Sequence, residues 1–213
     1  MNVLERVKQV IAAKPDEGQI DKFLSDLRES LATSNKLFLG YSLLTFTLLT
    51  TYHLVVHAGA TGVAFGSLQL KDASLFQRVF LVVPSFLLAA MACVGFLRRC
   101  QREVYDFLAI SRCTALGSSG LHELRLPSDH ILGLYMVNME GGAIGKVLAP
   151  TLAFLSFSLA FVGPAVYVAC NALANIQKFG VSDLLCTIAS CGSTVLSVSS
   201  LLIIGLSGRI KAH

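Results

Sequence analysis

Four uncharged, apolar runs divide the chain, at about residues 37–57, 79–97, 147–170 and 184–206. A helix needs about 20 apolar residues to cross the ~30 Å hydrocarbon core of a bilayer, and each run is long enough to do so. The last run holds the most informative pattern. No charged side chain lies between Asp183 and Arg209. Within that stretch Cys186, Ser190, Ser193, Ser197 and Ser200 are spaced four, three, four and three, and Ser207 resumes the line after a break at Ile204. On a helix this spacing places them in one seam. A seam of small residues on a helix in lipid is suited to close helix-to-helix contact. The competing role is a polar stripe lining a pore in an oligomer. The two differ in whether Ser190, Ser193 and Ser197 face a helix of the same chain, a second subunit or water.

Outside the four runs the apolar period is that of amphipathic helices. Val3, Leu4, Val7, Val10 and Ile11 share a face over residues 2–13, and Lys14-Pro15-Asp16-Glu17-Gly18 ends that helix. Ile20, Phe23, Leu24, Leu27 and Leu31 repeat the spacing over residues 19–33, so residues 1–35 read as a helical hairpin. The second run, with Pro84 one turn in, ends at Arg98, Arg99 and Arg102, which mark its cytoplasmic boundary, but the helical period does not stop there. Leu97, Cys100, Val104, Phe107, Leu108 and Ser111 continue one face, which predicts a single helix of about 33 residues, roughly 50 Å long. Its apolar face needs cover, and the N-terminal hairpin is the candidate. A glycine-rich loop with an extended stretch, Val63–Leu70, separates the first two runs. A further insert, residues 98–146, carries a loop at 114–127 and a short apolar helix at 131–139. Gly163-Pro164 predicts a kink in the third run at Pro164, because proline removes a backbone donor and clashes with the preceding turn. Residues 171–182 read as a short loop before the fourth run.

Composition agrees with a membrane protein: 54% of the 213 residues are hydrophobic and 14% charged, against about 25% charged in an average soluble domain. The net charge of +4 is no nucleic-acid footprint, because Lys and Arg are spread over the segments flanking the runs. Their distribution predicts topology. Fourteen lie in residues 1–36, 98–146 and the tail, and three in the two intervening loops, which puts both termini and the middle segment in the cytoplasm. Glu5, Arg6 and Lys8 argue against a signal peptide at the N-terminus. Six acidic residues balance six basic ones over 1–36, which disfavours a membrane-surface anchor there. Six cysteines with no CxxC pair make a disulfide framework unexpected, with Cys170 and Cys186 the two that have the opportunity to meet.

Candidate chemistry is sparse. His53 and His57 lie at i and i+4 beside Tyr52, a spacing that suits a metal, but no carboxylate or cysteine is near in sequence, so the pair reads as interfacial. Ser128-Asp129-His130, with His122 and Glu123 upstream, reads as a helix cap, since adjacent residues on one turn cannot form the usual catalytic relay. Glu140 to Lys146 lacks the first glycine and the Ser/Thr of a phosphate loop. Cys113 beside Arg112, and Cys100 beside Arg99, have no partner that would make them nucleophiles; a juxtamembrane thiol is a candidate for lipidation. Gly62 and Gly66 form a GxxxG outside any run, where it carries little meaning. No Asp, Glu, Lys or Arg lies in any of the four cores, whereas ion-coupled transporters and proton pumps need one. Glu140, the nearest, reads as interfacial or cytoplasmic.

The sequence therefore predicts an all-α polytopic membrane protein. Four transmembrane helices carry cytoplasmic amphipathic helices, without cofactor, metal site or nucleic-acid partner. Its expected role is a non-enzymatic membrane subunit or adaptor, assembling with itself or a cytoplasmic protein through the helices of residues 1–33 and 98–140. About 80 cytoplasmic residues are too few for a large enzyme domain. The alternatives are a homo-oligomeric channel lined by the seam and an enzyme at the membrane surface.

Overall fold

The computed structural model of the chain describes residues 3–12, 16–57, 63–65, 68–70, 73–112, 126, 138 and 141–207. Glu140, Cys113, the Ser128–His130 stretch, His122, Glu123, the short helix at 131–139 apart from Asn138, the glycines of the GxxxG and the basic tail lie outside the described residues. The elements run α1 (Val3–Ala12), α2 (Glu17–His57), β1 (Val63–Phe65), β2 (Leu68–Leu70), α3 (Ala73–Val79), α4 (Val82–Arg112), α5 (Gly142–Phe157), a π-turn (Ser158–Val162), α6 (Gly163–Phe179) and α7 (Leu184–Ser207). The fold is all-α apart from the short antiparallel hairpin of β1 and β2, in which Ala64 pairs with Gln69. Among the described residues, four helical stretches are long and apolar enough to cross a membrane: Gly18–His57, Ser74–Ser111, Gly142–Phe179 and Leu184–Leu206. Each turns large apolar side chains outward, among them Leu43, Phe86, Phe154 and Val195. Such a surface suits lipid, where apolar side chains need no burial.

Two compact units share the chain. One comprises Met1–Phe38, Val94–Leu155 and Ile204–His213, the other Leu39–Cys93 and Ser156–Ile203. In the first, the Leu24, Leu27 and Leu31 stripe of α2 packs with Tyr105, Ala109 and Leu126. The Lys8 ammonium of α1 lies 5.8 Å from the Phe107 ring. Ser30 and Ser34 meet Gln101: Gln101 Nε2 donates to Ser30 Oγ at 2.7 Å, and Ser34 Oγ donates to Gln101 Oε1 at 3.2 Å. The amphipathic stretch of residues 19–33 and the first apolar run are one helix of 41 residues. Thr33-Ser34-Asn35-Lys36 is polar but holds no glycine or proline, so nothing interrupts the hydrogen-bond ladder there. In this unit α4 buries Val104 and Leu108 of the expected face together with Arg98, Gln101 and Tyr105, whereas Leu97 is half-exposed. Polar heads with long apolar stems are buried where partners meet them, which an apolar count overlooks. Phe23, expected on the buried stripe, is likewise half-exposed.

In the second unit, prolines set the breaks. The expected continuous helix from Val79 is divided: α3 ends at Val79 and α4 begins at Val82. Pro84 has no N–H for the Phe80 carbonyl. That carbonyl instead accepts the Val83 N–H at 3.2 Å, while the Leu81 carbonyl takes both the N–H and the hydroxyl of Ser85, at 3.2 and 2.6 Å. Pro164 is handled differently. The helix widens to a π-turn, and the Gly163 N–H reaches back to the Ser158 carbonyl, a common way for a helix to absorb an interruption.

The helix then runs on to Phe179, through most of the expected loop at 171–182. Asn171 and Asn175 looked like loop residues, yet nothing stops the helix before Gly180, whose φ of 86° and ψ of 154° lie in a region open essentially to glycine alone. The connection is three residues and Asp183, whose Oδ1 caps α7 by accepting the Cys186 N–H at 3.0 Å.

Candidate functional site

The seam on α7 is the buried face of that helix. Cys186, Ser190, Ser193, Ser197 and Ser200 are each no more than 2% exposed, and Ile204, where the serine line breaks, is part-buried. The cover comes from the chain itself. Most of the hydroxyls are satisfied along their own helix. Ser193 Oγ donates to the Ala189 carbonyl at 2.7 Å, and Ser200 Oγ to the Ser197 carbonyl at 2.7 Å. Cys186 Sγ and Ser190 Oγ are 3.9 Å apart. Ser197 Oγ is buried with no hydrogen-bond partner. The face opposite the seam, including Ile188, Val195 and Leu202, is exposed and apolar. Residue size, rather than hydroxyl chemistry, distinguishes the two faces.

A second constellation lies in the same unit, where the C-terminal part of α2, α3 and α6 meet. Tyr52 is fully buried among Leu49, Phe76, Leu81, Val168 and Ala172, with its ring 6.2 Å from Phe76 and 6.1 Å from Phe80. Burying a phenol among apolar groups requires a partner for its hydroxyl. Asn175 supplies it. The Tyr52 hydroxyl donates to Asn175 Oδ1 at 3.2 Å and accepts from Asn175 Nδ2 at 3.0 Å. Asn175 Nδ2 also donates to the Gln77 carbonyl at 2.8 Å, and Lys178 Nζ donates to Gln77 Oε1 at 2.8 Å. Beside this network Arg78 Nε lies 3.2 Å from Asp183 Oδ2, with the guanidinium 4.7 Å from the Phe179 ring centroid. The sequence singled out Tyr52 only as a neighbour of the histidines and missed Asn175. The available sign was that Val168, Ala172 and Asn175 are spaced four and three, as the seam residues are.

The other expected residues stand apart from these constellations. Pro164 is buried and begins α6 just beyond the π-turn. Arg98, expected at a boundary, is buried, with its guanidinium 4.8 Å from the Phe38 ring centroid. That ring also lies over Gly95, where an added Cβ would meet it at 3.5 Å, an ordinary van der Waals contact. Arg99 reaches Glu103 at 3.4 Å and Arg102 reaches Asp106 at 4.0 Å, both one turn along α4. The five described cysteines are free: Cys186 is buried and Cys170 exposed, so these two do not pair. Exposed Cys93 and Cys191 sit on the outward faces of their helices. His53 and His57 are exposed and stack with ring centroids 4.1 Å apart.

Compared with known protein families, curated proteins and solved structures, the chain matches none.

Proposed function

We propose that the protein is a non-enzymatic integral membrane subunit or adaptor. It assembles with itself or with a cytoplasmic protein through the helices of residues 1–33 and 98–140, with both termini in the cytoplasm. The charge count supports that orientation, with fourteen Lys and Arg on one side and three on the other. The observation that carries the assembly reading is the division of α2. Leu24, Leu27 and Leu31 are taken up by the chain's own Tyr105, Ala109 and Leu126. Phe23, half-exposed, stands among exposed Lys22, Asp26, Arg28 and Glu29. Aromatic side chains and arginine are enriched at protein interfaces, and Phe23 with Arg28 offers both.

A homo-oligomeric channel lined by Ser190, Ser193 and Ser197 is the second reading. It requires those serines to face a shared axis, and their burial within one chain favours the packing role instead. One experiment separates the two. The full chain is purified in detergent, its mass and co-purifying proteins are measured, and the same preparation is reconstituted into liposomes. The adaptor reading expects a defined complex that Phe23→Asp with Arg28→Glu reduces to the free chain, and no passage of ions or dye. An unchanged complex in that variant contradicts it, and flux sensitive to Ser193→Leu would move the reading to a channel.

A further inference from the structure

The loops after the first and third apolar runs hold only three basic side chains, Lys71, Arg78 and Lys178. Two of these three stand over a single ring. The Arg78 guanidinium lies 4.7 Å from the Phe179 centroid and the Lys178 ammonium 5.2 Å, which brings both cations within reach of one headgroup. Each is held in place by a side chain of its own. Asp183 Oδ2 lies 3.2 Å from Arg78 Nε, and Gln77 Oε1 accepts from Lys178 Nζ at 2.8 Å. A guanidinium carries five N–H donors and an ammonium three, so both keep donors to give. Both are also accessible: the Arg78 side chain is 33% exposed, and Lys178 is exposed. The cluster stands where three of the candidate spans end. Ser74–Ser111 begins four residues before Arg78, Gly142–Phe179 ends on the ring itself, and Leu184–Leu206 follows Asp183 directly. Leu75, Val181 and Leu184, close by in sequence, are exposed.

We infer that Arg78 and Lys178 bind the phosphate of one anionic phospholipid in the leaflet at that end of the bundle. Packing accounts for Arg78, which Asp183 neutralises, but not for Lys178, whose partner Gln77 is uncharged. Two cations against one carboxylate leave a single positive charge, and a lipid phosphodiester supplies the single negative charge that balances it. The guanidinium offers a planar fork to phosphate oxygens and the ammonium a point charge. Anionic headgroups are recognised by basic pockets between transmembrane helices. Both cations are already fixed over Phe179, so less side-chain freedom is lost when the headgroup arrives. The exposed Leu75, Val181 and Leu184 suit the acyl chains of the same lipid. A zwitterionic headgroup brings an ammonium of its own, which the pair repels, so the site selects lipids of net negative charge. This inference is independent of the adaptor reading and of which side of the membrane the cluster faces.

The test uses native mass spectrometry of the full chain in detergent, titrated with palmitoyl-oleoyl phosphatidylglycerol, with the matching phosphatidylcholine and with inorganic phosphate. One phosphatidylglycerol per chain should bind ahead of all others, with phosphatidylcholine weaker and inorganic phosphate neither retained nor able to displace the lipid. Lys178→Gln removes the charge and keeps an amide for Gln77. It should weaken that first binding step about fivefold, the loss expected for one basic residue at an anionic headgroup. Arg78→Gln with Asp183→Asn replaces the ion pair by a neutral one and keeps a cap for α7, and it should weaken the step at least as much. Circular dichroism should report that the helices are retained in both. Lys146→Gln, an equal loss of charge at an exposed position of α5, should leave the step unchanged. Equal binding of the two lipids, or full phosphatidylglycerol affinity when Arg78, Lys178 and Asp183 are all replaced, overturns the inference. So does an equal loss in Lys146→Gln, which reports general charge attraction, or displacement by inorganic phosphate, which reports a site for free anions.

Discussion

Ser193→Leu lowers the stability of the folded chain by about 1–3 kcal/mol or more, the cost of forcing extra methylenes into a closed site, whereas Ser193→Ala costs about 0.6 kcal/mol, the average for a side-chain hydrogen bond within a membrane bundle. Ser193 is completely buried, and its hydroxyl is returned to the Ala189 carbonyl of its own helix. The hydroxyl therefore holds no neighbouring helix in place. Its contribution is smallness, which lets another backbone approach. Within lipid there is no hydrophobic force to draw two helices together, because acyl chains are as apolar as leucine, so association depends on tight packing. A leucine in the seam separates what the serine lets touch. Ser197 sharpens the contrast, since its buried hydroxyl has no partner. Removing an unsatisfied buried polar group is neutral or favourable, so Ser197→Ala should leave the chain at least as stable. Unfolding titrations in mixed detergent and dodecyl sulfate micelles give these values. In a pore-lining seam the leucine variant would instead keep its stability and change conductance.

Asn175→Ala is the second large loss. It strands the buried Tyr52 hydroxyl among apolar neighbours and takes a donor from the part-buried Gln77 carbonyl. An orphaned buried polar group costs about 1–3 kcal/mol, so the variant should lose about 2 kcal/mol or more. Tyr52→Phe should cost less. It leaves the amide of Asn175 still donating to Gln77 and orphans only Oδ1. The double variant should be less destabilised than the sum of the two, because the phenylalanine removes the hydroxyl that Asn175→Ala would strand. That shortfall, read from a double-mutant cycle in the same unfolding assay, measures the coupling directly. Additive losses would mean that Tyr52 and Asn175 do not act as a pair.

The features legible in the sequence are those fixed by angle alone. A four-three-four-three spacing commits five residues to one side of a helix wherever the neighbours are, so the buried face of α7 follows from the sequence. The four long apolar runs follow in the same way from length and charge. What depends on partners distant in sequence was not legible. Tyr52 and Asn175 are 123 positions apart, and His53 and Tyr167 are 114 apart, so no local pattern joins them. Helix ends were misjudged where polarity was taken as a stop. Asn171 and Asn175 lie inside α6, which ends only where Gly180 adopts a conformation that a side chain would oppose. Proline positions were legible but their consequences were not. Pro84 divides a helix, and the Phe80 carbonyl it frees takes the Val83 N–H, while at Pro164 the helix widens to a π-turn in which the Gly163 N–H reaches the Ser158 carbonyl.

The central claim is that the seam of α7 is an internal contact of a single chain. It is tested most directly by placing one cysteine at position 193 in a chain whose native cysteines are replaced, then treating membranes with a charged, water-soluble thiol reagent and, separately, with an oxidant. Ser193→Cys is a small change at a buried site, so the fold should survive it. The thiol should remain unmodified by the reagent in the folded protein and react only after unfolding, and oxidation should produce no cross-linked dimer. Modification in the folded state would place water along the seam, and a disulfide-linked dimer would place a second subunit there; either contradicts the account.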